Sequence, residues 1–273
     1  MTPDLRIQQA VLLRDARGVR VVAQSETFDV PEAERIAVLF GERPTGVACP
    51  RAEFACPFGA KGVAVVVVED RPGDVLGFRF LVLARDLYRY LGDPFAIAER
   101  YPVEWNATGK LPELEWPKAI LPERTLEQLD AVLKVGDGPL LLGGAQALVD
   151  GNRVLLKRDA PARFVRDLWL LLPDRTRCDL WPASFAFSDE LGFHAALGPT
   201  LPTKPGPRVL GEEAIRDYPQ SSYELGLQLA VESGDRAALR KLLARRTVDD
   251  TIRLGLYILG FALVAAVVLK FVF

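Results

Sequence analysis

Four side chains in this sequence are of the types used for nucleophilic or metal chemistry: Cys49, Cys56, Cys178 and the lone histidine, His194. A thiolate beside an imidazole makes the Cys–His pair of covalent hydrolases. No nucleophile signature surrounds any of the cysteines, and no G-x-S-x-G occurs. Structural zinc favours C-x₂₋₄-C pairs and four ligands. Six residues intervene between Cys49 and Cys56, and Cys178 and His194 complete a set only if the fold gathers them. Three cysteines are too few for a disulfide scaffold and suit a reducing compartment. These residues read first as packed thiols and an incidental histidine. No catalytic, metal or cofactor-binding residue is assigned, and no cofactor is expected.

Three weaker patterns follow. The segment 57–62, Pro-Phe-Gly-Ala-Lys-Gly, precedes an apolar run, whereas a phosphate loop follows its strand and ends G-K-[ST]. Gly143-Gly144 follows a short apolar run and would suit an anion if it opened a helix. Paired glycines at a turn are common, so the pair reads as structural. Glu113 and Glu115 flank Leu114 beside Trp116, with nothing to set the carboxylate separation a glycosidase needs. Tyr88, Tyr90, Tyr101, Trp105 and Trp116 gather in or near a proline-rich stretch. They either cover the core or form an exposed contact surface.

The elements that must position these residues are legible from periodicity. Residues 5–13 and 19–24 form a hairpin around Arg-Asp-Ala-Arg-Gly. Residues 31–40 form a short helix with proline at its start. Residues 62–70 read as a strand buried on both faces and 76–83 as its neighbour. A short helix follows at 86–91, then an extended loop over 101–122. Helices are expected over 125–135, capped by Thr125, and over 161–172. Short strands are expected at 139–142 and 154–157, with one more at 180–187. Residues 222–232 and 235–245 form a helical hairpin in which Gly234 takes the left-handed cap and Asp235 the next N-cap.

Composition bounds the function. The 273 residues carry 34 basic and 36 acidic side chains, a net charge of −2. That balance lacks the clustered basic excess a nucleic-acid binder needs, so no nucleic-acid partner is expected. At 49% hydrophobic and 26% charged residues the chain is globular. Arginine far outnumbers lysine, which points to a GC-rich, bacterial coding sequence. The first residues show no signal peptide.

Residues 254–273, LGLYILGFALVAAVVLKFVF, hold one charge, Lys270. A helix of that length spans about 30 Å, so a transmembrane tail anchor in contact with the lipid bilayer is expected. Arg236, Arg240, Lys241, Arg245, Arg246 and Arg253 precede it, against Asp235, Asp249 and Asp250. The positive-inside rule then keeps the N-terminal region in the cytoplasm.

One segment carries a resemblance. Leu168-Trp169-Leu170-Leu171-Leu172-Pro173-Asp174-Arg175-Thr176-Arg177, followed by 181–187 (WPASFAF), is similar to a pattern in bacterial GTPase-associated proteins. There a leucine-rich helix ends in a Leu-Pro step, basic residues follow, and a phenylalanine-rich strand comes next. Gln8-Gln9-Ala10-Val11 also resembles the opening of their N-terminal domain. The resemblance implies an accessory role near GTPase-based systems and brings no catalytic motif.

The expected architecture is α+β: a mixed-sheet cytoplasmic region, a helical hairpin and a single C-terminal transmembrane helix. Its expected divisions are a strand-rich subdomain (1–122), a second α+β subdomain (123–197), a proline-rich linker (198–220), the hairpin (221–249) and the anchor (250–273). The expected function is a non-catalytic, tail-anchored adaptor or scaffold with a protein partner. One rival is a membrane-tethered enzyme using His194 or a cysteine. The other is a membrane-complex subunit in which Ala262 and Ala266 allow close helix approach.

Overall fold

The computed structural model describes residues 4–49, 51–118, 121–158, 163–201, 208–244, 252 and 255–261. The chain opens with a hairpin, β1 (Arg6–Asp15) and β2 (Gly18–Gln24), whose turn ends at Gly18 with φ +121°. Helix α1 (Val30–Leu39) starts at Asp29, whose carboxylate accepts from the Glu32 amide at 3.2 Å. An antiparallel meander follows: β3 (Ala52–Phe58), β4 (Gly62–Arg71) and β5 (Val75–Ala84). Next come α2 (Arg85–Leu91), α3 (Pro94–Arg100), and the two-residue strands β6 (Gly109–Lys110) and β7 (Leu114–Glu115).

The second half holds α4 (Leu126–Val135), α5 (Gly138–Val149), β8 (Arg153–Lys157), α6 (Phe164–Leu171) and α7 (Asp174–Asp179). Then come β9 (Pro182–Ala183), β10 (Ala195–Gly198), β11 (Val209–Leu210), α8 (Glu212–Arg216), α9 (Ser222–Ser233) and α10 (Arg236–Leu243).

Among the described residues one mixed sheet runs β11-β8-β10-β9-β3-β4-β5-β1-β2-β6, with β7 also paired to β1. The meander side is antiparallel, while β9, β10, β8 and β11 run parallel. The two halves join where Phe54 of β3 pairs with Ala183 of β9.

Side-chain alternation makes two cores from the meander. Ala64, Val66 and Val68 of β4 face α1 within a phenylalanine-rich layer containing Phe40, Phe54, Phe78 and Phe80. Val63, Val65 and Val67 face the other way, against Leu87, Tyr88, Ile97 and Trp116. The unbroken valine run is the signature of a strand covered on both faces. A third core packs α4, α5, α6, α9 and α10 against β8 and β10.

The α+β class and the mixed sheet are as expected, and so are both hairpins. Thr125 caps α4 through a full capping box with Gln128, and Gly234 adopts φ +69°. Residues 139–142 are not a strand but the first turns of α5. Asp137 caps that helix and Pro139 sits at its start, a helix-start signal that outweighs the short apolar run. In 180–187 only Pro182–Ala183 pair as strand, with Ala195–Ala196 of β10.

The transmembrane expectation is corrected. Among the described residues no helix is long and apolar enough to cross a membrane. Within the apolar tail, residues 255–261 are described and are helical. Gly255 and Gly260 fall in this stretch, and each costs about 1 kcal/mol of helix stability relative to alanine. The single-pass membrane localisation and its orientation fall with the span. Positions 254 and 262–273, including Ala262, Ala266 and Lys270, lie outside the described residues, as do 202–207 of the expected linker.

Candidate functional site

The face of the meander that carries Val63, Val65 and Val67 becomes polar toward one end. Strand pairing sets Glu53, Val67, Arg79 and Val11 in one row across four strands, and Glu69 opposite Gly77 in another. Gly77 leaves a gap in that surface, and Trp105 fills it. A Cβ at position 77 would lie 2.6 Å from the Trp105 ring. The indole Nε1–H donates to Glu69 Oε2 at 2.9 Å, and the Arg71 guanidinium sits 5.3 Å from the ring centroid. Glycine, carboxylate and cation together fix one ring orientation.

Around Trp105 the cover segment alternates: Val103, Trp105 and Ala107 are half-buried, while Glu104 and Asn106 are exposed. Together with Arg71 they line an open cleft of about 610 Å³. The segment is tied down beyond it. The Gln9 side-chain amide donates to the Pro112 carbonyl at 2.6 Å, and β6 and β7 pair with β2 and β1. A held aromatic ring flanked by a cation, a carboxylate and an amide can bind a polypeptide surface with little ordering cost.

A chain of charges runs on from Glu69. Glu53, 2% exposed, accepts from Arg51 Nε at 2.9 Å and from Arg166. Arg166 also reaches Glu99 at 2.6 Å and lies over Phe95, and Arg51 reaches Glu69 at 3.3 Å. The network therefore runs from α6 to the carboxylate that holds Trp105. Arg79, 4% exposed, donates to Gln9 Oε1 and the Phe80 carbonyl, each at 2.6 Å. Burial lowers its guanidinium to about 10, so it stays charged at neutral pH.

The sequence-predicted groups lie elsewhere and are committed to internal contacts. Cys49 and Cys56 belong to the phenylalanine-rich core. Burial, with Asp70 adding to it, pushes the Cys49 thiol up to about 12, and burial raises Cys56 as well. Cys178 donates to the Arg89 carbonyl at 2.7 Å and the Asp174 carbonyl at 3.1 Å, and burial raises it to about 11. His194 Nδ1 accepts from the Trp181 amide at 3.0 Å, and burial, then Arg153, lowers its pKa to about 4. Among the described residues no group of three His, Cys, Asp or Glu side chains could hold a metal.

Gly143 and Gly144 are buried inside α5, where a Cβ on Gly143 would lie 2.2 Å from the Ile215 carbonyl. They serve close packing on α8, not an anion. Gly59, in the β3–β4 turn, donates its amide to Glu32 at 3.3 Å. Glu113 accepts from Thr27 at 3.0 Å, and the Glu115 carbonyl accepts from the Tyr101 hydroxyl at 2.9 Å, so both fasten the loop. Of the aromatic group, Tyr88 and Trp116 are core, Tyr101 and Trp105 half-buried, and Tyr90 exposed. The segments that carry the family resemblance form α6, α7 and β9, with Leu168, Trp169, Leu171 and Leu172 buried. No protein-family model matches the chain, and no curated protein matches it.

Proposed function

We propose that the chain is a non-catalytic binding module, an adaptor that recognises a protein partner through the cleft at Trp105. One observation carries this reading: Trp105 is held by Gly77, Glu69 and Arg71 at the edge of an open cleft whose rim groups, Glu104 and Asn106, face solvent. Interface energy concentrates in fixed aromatic and arginine side chains, and a ring with its N–H already bonded presents its apolar part to a partner. The thiols and the imidazole are each spent on packing or backbone contacts, which favours recognition over nucleophilic chemistry.

A photo-crosslinking residue at Asn106 tests the reading in cells, with the same group at exposed Val135 as control. A discrete adduct from position 106, absent from position 135, is the expected result. Equal labelling from both positions would overturn it.

A further inference from the structure

The sheet has an open edge of different character. Strand β6 covers only the end of β2, where Ala23 and Gln24 pair with Gly109 and Lys110. Among the described residues no strand pairs with 18–22 on that side. On one face of this edge a groove of about 480 Å³ lies between β2 and α1, lined by Val19, Pro31, Glu34, Arg35, Val38 and Leu39. Val38 is 60% exposed there. Arg35 is held by Glu32 in a two-bond pair, so beside Glu34 the lining is the apolar set Val19, Pro31, Val38 and Leu39. On the other face, Arg20 is exposed, with Arg17 in the turn beside it. Among the described residues no carboxylate pairs with Arg17 or Arg20, and Asp15 contacts only the Arg17 backbone amide.

We propose that the edge of β2 at 18–22 takes an added strand whose side chains alternate apolar and acidic. Strand addition supplies backbone hydrogen bonds for affinity and alternate side-chain pockets for specificity. Side chains of an added strand point to the two faces in turn. One set enters the Val19–Val38 groove, and the other meets Arg17 and Arg20. Charge selects the occupant. Antiparallel pairing with a second copy about position 20 would oppose two Arg20 side chains, which is unfavourable. An acidic strand reverses that sign. The bulge at Val22 of β2, left unpaired between the Leu12–Val21 and Val11–Ala23 pairs, and the β6 pairing beyond it mark where the docked strand must end.

The test uses the full chain and a synthetic peptide of five Val-Glu repeats. Controls are a Val-Lys repeat and a block peptide of five valines followed by five glutamates. Binding is read by fluorescence anisotropy, and amide protection by hydrogen exchange. The Val-Glu peptide is expected to bind and to slow exchange of amides within 18–22. Arg20→Glu is expected to weaken binding about tenfold or more and to shift preference toward the Val-Lys peptide. Val38→Lys, at an exposed position that leaves the core intact, is expected to weaken it as well. Failure of the Val-Glu peptide to bind, equal binding of the block or Val-Lys peptide, or binding without protection at 18–22 would each overturn the proposal. Crosslinking from Asn106 reads the Trp105 cleft and not the edge of β2, so failure of one leaves the other standing.

Discussion

Trp105 rests on Gly77, its ring so close that a Cβ at position 77 would stand 2.6 Å from Cζ3 and 3.0 Å from Arg71 Cγ. Pairing with β1 and β4 fixes the strand backbone at position 77, so the ring must give way. Gly77→Ala is therefore expected to displace Trp105, free the Arg71 guanidinium and break the Nε1–H bond to Glu69. The stability cost is about 1–3 kcal/mol, the range for overpacking. Tryptophan emission, which Trp105 shares with Trp116, Trp169 and Trp181, should shift to the red as this ring becomes wetter. Wild-type emission and an unchanged urea midpoint would show that the ring does not depend on the missing side chain.

Glu53 is the buried end of the charge network, and Arg166 brings that network its one residue from α6. Removing one partner of a buried pair leaves an uncompensated charge, at a cost of about 3–5 kcal/mol. Arg51 keeps part of the compensation, so Arg166→Met is expected near the lower end, about 3 kcal/mol. Glu53→Gln with Arg166→Met should recover part of that loss, since no unpaired carboxylate remains. Urea unfolding of the two single variants and the double variant reads the coupling. Strict additivity would show that the pair does not act as one unit.

The elements were legible where periodicity and caps agreed. The valine run of β4, the Thr125 capping box and the Gly234–Asp235 step are local signals, and each marks an element found in the structure. Residues 139–142 misled because four apolar residues suit a strand or a buried helix equally, and the cap at Asp137 decided it. The site was not legible. Glu69, Arg71 and Gly77 come from two strands and meet Trp105 only through register, as Glu53 of a third strand meets Arg51 and Arg166, and no local pattern encodes that. One signal was present: Arg79 interrupts the apolar run GFRFLVL, and a charge inside a buried strand marks a polar cluster on that face. The thiols and His194 were visible by type, but residue type alone does not say whether a group is exposed and available.

Gly143 shows the same dependence on close approach in the helical layer. Its absent Cβ would lie 2.2 Å from the Ile215 carbonyl of α8, and Gly144 faces Leu168 at 3.3 Å. Alanine normally favours a helix interior over glycine by about 1 kcal/mol, so propensity predicts that Gly143→Ala stabilises. Packing predicts the reverse, because α5 must move off α8. The expected net effect is a loss of about 1–3 kcal/mol, with Gly144→Ala milder. Thermal unfolding of both variants decides. A raised Tm for Gly143→Ala would mean that α8 is free to shift.

His194 sets a pH dependence whose sign follows from its depressed pKa. Folded, the imidazole titrates at about 4, because burial and then Arg153 disfavour the cation. Unfolded, it titrates near ~6.5. The unfolded chain therefore binds the proton first as pH falls. The stability contributed by neutral His194 is complete above about pH 6.5 and is lost progressively down to about pH 4, an effect on the order of 3 kcal/mol. Asparagine can keep the acceptor for the Trp181 amide without titrating. His194→Asn is expected to lose no more than about 1 kcal/mol at pH 7.5 and to overtake the wild type as pH drops toward 4.5. Urea midpoints of both proteins across that range give the difference directly, with the carboxylates common to both cancelling. A difference that stays constant with pH would mean that His194 does not titrate between the two states.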